Sequence, residues 1–397
     1  MFEDVPLAPS DPILGLTEAF KKDPNPAKIN LGVGVFTDSN GKTPLLNCAR
    51  EAEKRLAGSA VSRVYLPIEG DPIYRAQMQS LILGADSEAL FTKRVFTACA
   101  PGGTGALRVV ADFLKQNFPS IKVWISNPTW PNHTQIFDAA GVRTERYAWF
   151  DPIGNCLDFG GLVSTLEKVP SGNAVLLHGC CHNPTGIDPT LEQWTQIAEI
   201  LAARNILPIV DFAYQGFGTG IEEDAAGLRV LASRCRNMIV CSSCSKNFSL
   251  YADRVGAVSF LCDDESMAQR IGSQVKRVIR ANYSNPPQHG FSVVASIMGD
   301  KDLRTMWVDE VRLMRERING LRALFADTLA GKGIKQDFGF IKRQLGMFSF
   351  SGLSKEQVDE LREKHSIYIV ASGRVSVAGM NEKTMDRLCD AIASVLR

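Results

Sequence analysis

Residues 207–217 read LPIVDFAYQGF. The first four residues are continuously apolar, as expected for a strand buried on both faces. The run then delivers a carboxylate, Asp211, and three residues later a tyrosine, Tyr214. In a sheet of parallel strands, ligands gather at the carboxyl ends. A buried carboxylate there is costly unless a hydrogen-bond donor or a cation meets it. An aspartate in that place also suits a helix N-cap, so the neighbouring segments have to decide.

Five further apolar runs surround it: RVFTAC (94–99), KVWIS (122–126), AVLLH (174–178), MIVC (238–241) and AVSFLC (257–262). Helix patterns lie between them. In 103–118, Leu107, Val110, Phe113 and Leu114 share a face. In 190–203, Trp194, Ile197, Ala198 and Leu201 do the same, and Thr190 with Gln193 forms a capping-box signature. The alternation predicts an α/β fold with a mostly parallel sheet covered on both sides. After about residue 300 the texture changes. A long charged helix pattern (302–330) leads to GMFSFSG (346–352), then to IYIVASGRVSVAG (367–379). A last helix is expected to bury Met385, Leu388, Ile392 and Leu396. These segments predict a smaller α+β lobe, which INLGVGVF (29–36) is expected to join.

Composition narrows the function. The 397 residues carry 44 basic and 43 acidic side chains, a net charge of +1. This is not the basic footprint of a nucleic-acid binder. Any ligand charge must be met by particular arginines. The ten cysteines show neither a CxxC repeat nor a Cys/His spacing suited to zinc, and no metal site is expected. Cys241 and Cys244 form a single CxxC without the tryptophan-glycine setting of a redox motif. Scattered cysteines in a chain this long read as reduced, mostly buried thiols of a cytoplasmic protein. The N-terminus, MFEDVPLAPSDP, is acidic and broken by proline, with none of the features of a signal peptide. No apolar run approaches the roughly 20 residues that span a bilayer, so no membrane partner is expected.

The chemistry concentrates at predicted strand ends. Residues 241–256 read CSSCSKNFSLYADRVG and set Lys246 beside Ser243, Ser245 and, eight residues on, Arg254. An unprotonated lysine forms a Schiff base with a carbonyl, and nearby positive charge and burial favour that state. Serine hydroxyls and an arginine fork suit a phosphate. A cofactor with both an aldehyde and a phosphate would use the whole segment, and pyridoxal 5′-phosphate has both. PGGTGALR (101–108) supplies glycines before a helix start, making Gly102, Gly103 and Thr104 a further wall for an anion. Neither this segment nor LGVGVF (31–36) is GxGxxG, which speaks against a dinucleotide enzyme. A pyridinium N–H would partner Asp211 and keep the ring an electron sink. Tyr214 suits the ring's phenolate oxygen. In HGCCHNPTG (178–186), the Asn183 amide suits that oxygen or a substrate carboxylate, and the histidines read as structural. In NPTWPNH (127–133), Trp130 suits stacking on a flat ring, and His133 suits a supporting place behind Asp211.

Taken together, NPTWPNH, HGCCHNPTGIDPT, DFAYQGF, SxSKNFxLYxxRVG, RANYSNPP and ASGRVSVAG resemble the aspartate aminotransferases and their aromatic-aminotransferase relatives. The resemblance runs from DPILGL (11–16) to the C-terminus. It implies a fold type I PLP-dependent transferase with a seven-stranded, mostly parallel sheet. It also implies a large domain over 44–310, a small domain from 13–43 and 311–397, and an N-terminal arm over 1–12 reaching a partner. A homodimer with shared active sites is implied too, acting on small-molecule amino acids and 2-oxo acids by ping-pong transamination. Lys246 becomes the Schiff-base lysine and proton carrier. Asp211 pairs with the ring nitrogen, Tyr214 and Asn183 with the phenolate oxygen, and Trp130 stacks. Ser243, Ser245, Arg254, Gly103 and Thr104 hold the phosphate, with Tyr65 reaching in from the partner. Arg374 clamps the substrate α-carboxylate, approached also by Gly34, and the partner's Arg280 binds the distal carboxylate.

The departures bear on substrate choice. Ser249 stands where aspartate enzymes usually have glycine, and Thr37 and Val64 stand where they often carry lysine and asparagine. Val35, Thr43, Thr104 and Asn285 keep the aspartate pattern. Aspartate with 2-oxoglutarate is therefore the expected pair, with tyrosine or phenylalanine as the alternative. A decarboxylase or lyase on the same fold would not need a second oxo acid. A pyridoxal-binding regulator would need a DNA-binding segment for which this chain has no spare length.

Overall fold

The computed structural model describes residues 1–7, 14–59, 62 and 64–397. Two compact units emerge. One comprises Pro44–Asn183 and Ile187–Arg315, the other Met1–Thr43, Pro184–Gly186 and Glu316–Arg397. The arm expected over 1–12 falls partly on residues outside those described.

The larger unit is built on a seven-stranded sheet. In chain order its strands are β1 (Val95–Pro101), β2 (Lys122–Asn127), β3 (Arg143–Ala148), β4 (Ala174–His178), β5 (Leu207–Phe212), β6 (Met238–Ser243) and β7 (Val255–Leu261). The spatial order is β1-β7-β6-β5-β4-β2-β3. All pairings from β6 to β3 are parallel. Only β7 runs against its neighbours. Every residue of β4, β6 and β7 is buried, which is why their sequences are mostly apolar rather than alternating.

Helices cover the sheet. Helix α1 (Gly102–Asn117) buries Leu107, Val110, Phe113 and Leu114. These pack with Val123, Ile125, Ile209, Ile239 and Phe260 into one apolar cluster. Helix α2 (Leu191–Ala203) starts with the capping box expected of Thr190 and Gln193 and buries Trp194, Ile197, Ala198 and Leu201. Helices α3 (Glu265–Asn282) and α4 (Lys301–Ala330) follow.

In the smaller unit, Ile29–Asn30 pairs in parallel with Ile367–Tyr368. Phe348–Phe350 pairs antiparallel with Arg374–Ser376. The apolar stretch 367–379 is thus two short strands, separated by a turn whose Gly373 adopts φ +81°, a conformation that glycine takes without strain. The last helix, Met385–Val395, buries Met385, Leu388 and Ile392. Leu396 lies just past its end and is only half-buried. No described helix is long and apolar enough to cross a membrane.

Candidate active site

The carboxyl ends of the parallel strands bring five segments to one edge. β1 ends at Pro101 and runs straight into α1 at Gly102. β2 ends at Asn127, before Trp130 and His133. β4 ends at His178, and its register sets that residue beside Asp211 of β5. β6 ends at Ser243. Because β7 is antiparallel, its start lies at the same edge, with Val255 opposite Pro101 and Gly256 opposite Ser243. Arg254, immediately before β7, therefore joins residues that precede it by 150 positions.

Asp211 is not a helix cap. It sits buried near the end of β5, and its Oδ2 lies 2.9 Å from Nε2 of His133. The other ring nitrogen of His133 lies 2.8 Å from the Thr129 hydroxyl. A carboxylate only accepts, so the ring donates to it from Nε2. Burial alone would push the Asp211 carboxyl up. The His133 hydrogen bond, aided by the Lys246 charge, overrides it and leaves the carboxyl below its ordinary value. Asp211 is therefore a fixed negative charge at neutral pH.

Lys246 follows β6 in a partly buried turn, and its Nζ lies 4.6 Å from the centre of the Tyr214 ring. Asn183 Nδ2 donates to the Tyr214 hydroxyl at 3.4 Å. Trp130 is half-buried and meets the edge of His133, ring centres 5.3 Å apart. Ser249, three residues past Lys246, adopts φ +55°. Its hydroxyl donates to the Pro44 carbonyl at 2.7 Å.

Beside Lys246 lies a donor-rich hollow. Ser243 and Ser245 hydroxyls are 3.1 Å apart, and Arg254 Nη1 reaches the Ser245 hydroxyl at 3.4 Å. Gly102 has φ +73°. A Cβ added there would come within 2.5 Å of the Arg254 guanidinium, and one at Gly103 would meet Ser243 at 3.4 Å. At position 102 only glycine keeps this hollow open, and Thr104 lies in the first turn of the helix that begins at it. Guanidinium, two hydroxyls and a helix start form a donor set that fits a phosphate.

The smaller unit carries a second arrangement. Arg374 is buried, and its Nη2 donates to the Gly32 carbonyl at 2.6 Å. Its guanidinium carbon lies 4.3 Å from the Phe348 ring centre. A Cβ on Gly34 would strike that same ring at 2.5 Å. Tyr65 and Arg280 form a third group. Tyr65 is 92% exposed. The two share a surface depression with Leu66, Ile68, Ser284 and Asn285. Arg280 donates to the Ser284 hydroxyl, and Asn285 donates to the Leu66 carbonyl at 3.1 Å.

The family model for aminotransferase class I and II matches residues 26–392. The chain belongs to the class I and II aminotransferases. The aspartate aminotransferase of Escherichia coli K12 is 52% identical over 396 residues, covering 100% of both chains. The aromatic-amino-acid aminotransferase of the same organism is 45% identical over 397 residues, again covering 100% of both. A crystal structure of an aromatic-amino-acid aminotransferase from Burkholderia pseudomallei, described as covalently bound to pyridoxal phosphate, superposes with a TM-score of 0.97. It is 49% identical, with full coverage of both chains.

Parts of this aminotransferase site escaped sequence reasoning. Phe348 looks like an ordinary strand residue, yet it underlies Arg374. His178 and His182, read as structural from the sequence, join His133 and Trp149 in a buried aromatic stack, with His182 and Trp149 rings near-parallel at 4.4 Å. Burial pulls His178 down to about 3, so it stays neutral. Asp188 accepts the Cys181 and His182 backbone N–H groups at 2.6 and 2.9 Å, holding the turn before Asn183. None of these has a local signature beyond its residue type.

Proposed function

We propose that this chain is a pyridoxal-phosphate-dependent aspartate aminotransferase that moves an amino group between L-aspartate and 2-oxoglutarate. The observation that carries the reading is the buried, ionised Asp211 with Lys246 and the phosphate-shaped hollow at the same sheet edge. When bound, the cofactor supplies an aldehyde that condenses with amines and a ring that accepts the electrons released at the substrate's α-carbon.

Ser243, Ser245, Arg254, Gly102, Gly103 and Thr104 would hold the phosphate, with Tyr65 from the second subunit. Asp211 would accept the ring N–H, and its low pKa keeps that proton in place. Tyr214 and Asn183 would donate to the phenolate oxygen, and Trp130 would cover the ring face. Lys246 Nζ takes the proton leaving the substrate α-carbon and gives it back, as base and then acid. Arg374 clamps the α-carboxylate through paired N–H bonds, with Gly34 leaving room at its side. Arg280 of the second subunit would meet the distal carboxylate. The two units then correspond to a large cofactor-binding domain and a small domain, assembled as a homodimer. Ten free cysteines, of which only Cys156 is exposed, suit a cytoplasmic enzyme.

Aromatic amino acids are the second reading. The apolar Val64 and the aromatic relatives favour it as an additional activity. An absorbance spectrum of the purified protein tests the assignment. A yellow band bleached by aspartate and restored by 2-oxoglutarate is expected, and it should be missing in Lys246→Ala. Bleaching by phenylalanine but not by aspartate would reverse the order of the two readings.

A further inference from the structure

Helix α4 carries its buried residues as an apolar stripe through Ile318, Leu321, Phe325 and Leu329. Arg322 lies on that stripe and is only 1% exposed. A guanidinium in such a place is costly unless its N–H groups find acceptors. Four acceptors lie between residues 341 and 349. Arg322 Nη2 donates to the carbonyls of Gly346 and Phe348, the latter at 3.3 Å. Nη1 donates to the Ser349 hydroxyl and to the Ile341 carbonyl at 3.5 Å. The cation thus holds Phe348 by its carbonyl and grips the chain on either side of it, at the Gly346 carbonyl and the Ser349 hydroxyl.

Phe348 is the residue whose ring lies 4.3 Å under the Arg374 guanidinium and closes against Gly34. Its strand is paired with the one that Arg374 begins, Phe350 opposite Arg374. Arg374 is therefore supported in part by the Gly32 carbonyl and the Phe348 ring. A planar guanidinium recognises a carboxylate only when its plane is correctly turned. We infer that Arg322 is a positioning residue for carboxylate recognition. By holding the backbone of Phe348, it sets the ring on which Arg374 lies and so the plane that Arg374 presents. This rests on reading Arg374 as the carboxylate clamp.

The test uses the holoenzyme and maleate, a dicarboxylate that cannot be transaminated, followed by its effect on cofactor absorbance. Arg322→Met fills the site without the donors. It is expected to weaken maleate binding by about tenfold and to raise KM for aspartate by a similar factor. The cofactor spectrum without ligand should stay unchanged. Phe348→Leu should give a similar loss, and the double variant should lose little more than either alone. A purely structural role would lower the melting temperature and leave maleate affinity as it was. Arg374→Ala separates the two layers. If it abolishes maleate binding while folded Arg322→Met binds normally, the inference is overturned and the clamp stands. If Arg374→Ala also binds normally, the clamp fails with it. Should Arg322→Met not fold, Arg322→Lys decides, because an ammonium cannot span all four acceptors. Wild-type maleate affinity in that variant overturns the inference, and weakened affinity supports it.

Discussion

Asp211 shows how a single residue is tuned against its surroundings. Its burial favours the neutral acid, while the hydrogen bond from His133 favours the anion, and the anion prevails. A carboxyl whose folded pKa lies below 3.8 contributes stability that is present above that pH and lost as pH falls through the folded value. His133→Leu removes the donor and leaves burial as the dominant influence. The carboxyl should then rise, and the acid limb of the kcat-pH profile should move upward by about one pH unit or more. His133→Asn, which keeps an N–H donor, should move it less. A pH-rate profile of both variants, with circular dichroism to confirm folding, measures this. An unmoved acid limb in His133→Leu would mean that Asp211 is held ionised by something other than His133.

At the scale of elements, the turn between β4 and α2 illustrates a different use of a buried acid. Asp188 closes the loop by accepting two backbone N–H groups, yet burial is the stronger influence and pushes its carboxyl up to about 6. The sign is opposite to that of Asp211. Stability from the protonated form is fully present below the unfolded value of 3.8 and is lost as pH rises through about 6. The loss is on the order of 2–3 kcal/mol if Asp188 acts alone. Asp188→Asn, neutral throughout, should flatten this part of the profile. Urea unfolding at several pH values between about 4 and 7 reads it directly. An identical slope in the two proteins would remove Asp188 from the account.

The same scale explains what could be read beforehand. Six strands announced themselves because burial on both faces demands apolar runs. The seventh, Arg143–Ala148, did not, because it lies at the sheet edge and only Tyr147 is fully buried. Its Arg143, Glu145 and Arg146 look like loop residues, and Glu145 pairs with Lys122 of the neighbouring strand at 2.8 Å. The catalytic edge was legible because lysine, aspartate and glycine follow the strands directly in sequence. Arg374 came only through family resemblance, and Phe348 and Arg322 were not found at all. Their roles depend on strand pairing and on a helix brought beside a strand from more than twenty residues away, and neither leaves a local pattern.

At the scale of the whole molecule, the residues proposed for the site fall into three groups, and one of them faces outward. Tyr65 and Val64 are 92% and 75% exposed, and Arg280 shares the Tyr65 depression on the surface. An exposed tyrosine beside an arginine makes physical sense when a second copy supplies what they face, because an isologous contact uses each group twice. The proposed homodimer then makes a definite forecast. Arg280→Ala alone should cripple turnover of aspartate far more than of phenylalanine, since only the dicarboxylate needs the second cation. Lys246→Ala alone should be inactive on both. If the two inactive homodimers are mixed and allowed to exchange subunits, each hybrid holds one damaged site and one site with Lys246 and Arg280 both intact. Random exchange makes about half the dimers hybrids, so about one quarter of wild-type aspartate activity should return. Differently tagged chains establish that exchange has occurred. Full exchange with no recovered activity would show that Arg280 serves the site of its own chain, and the shared-site architecture would have to be abandoned.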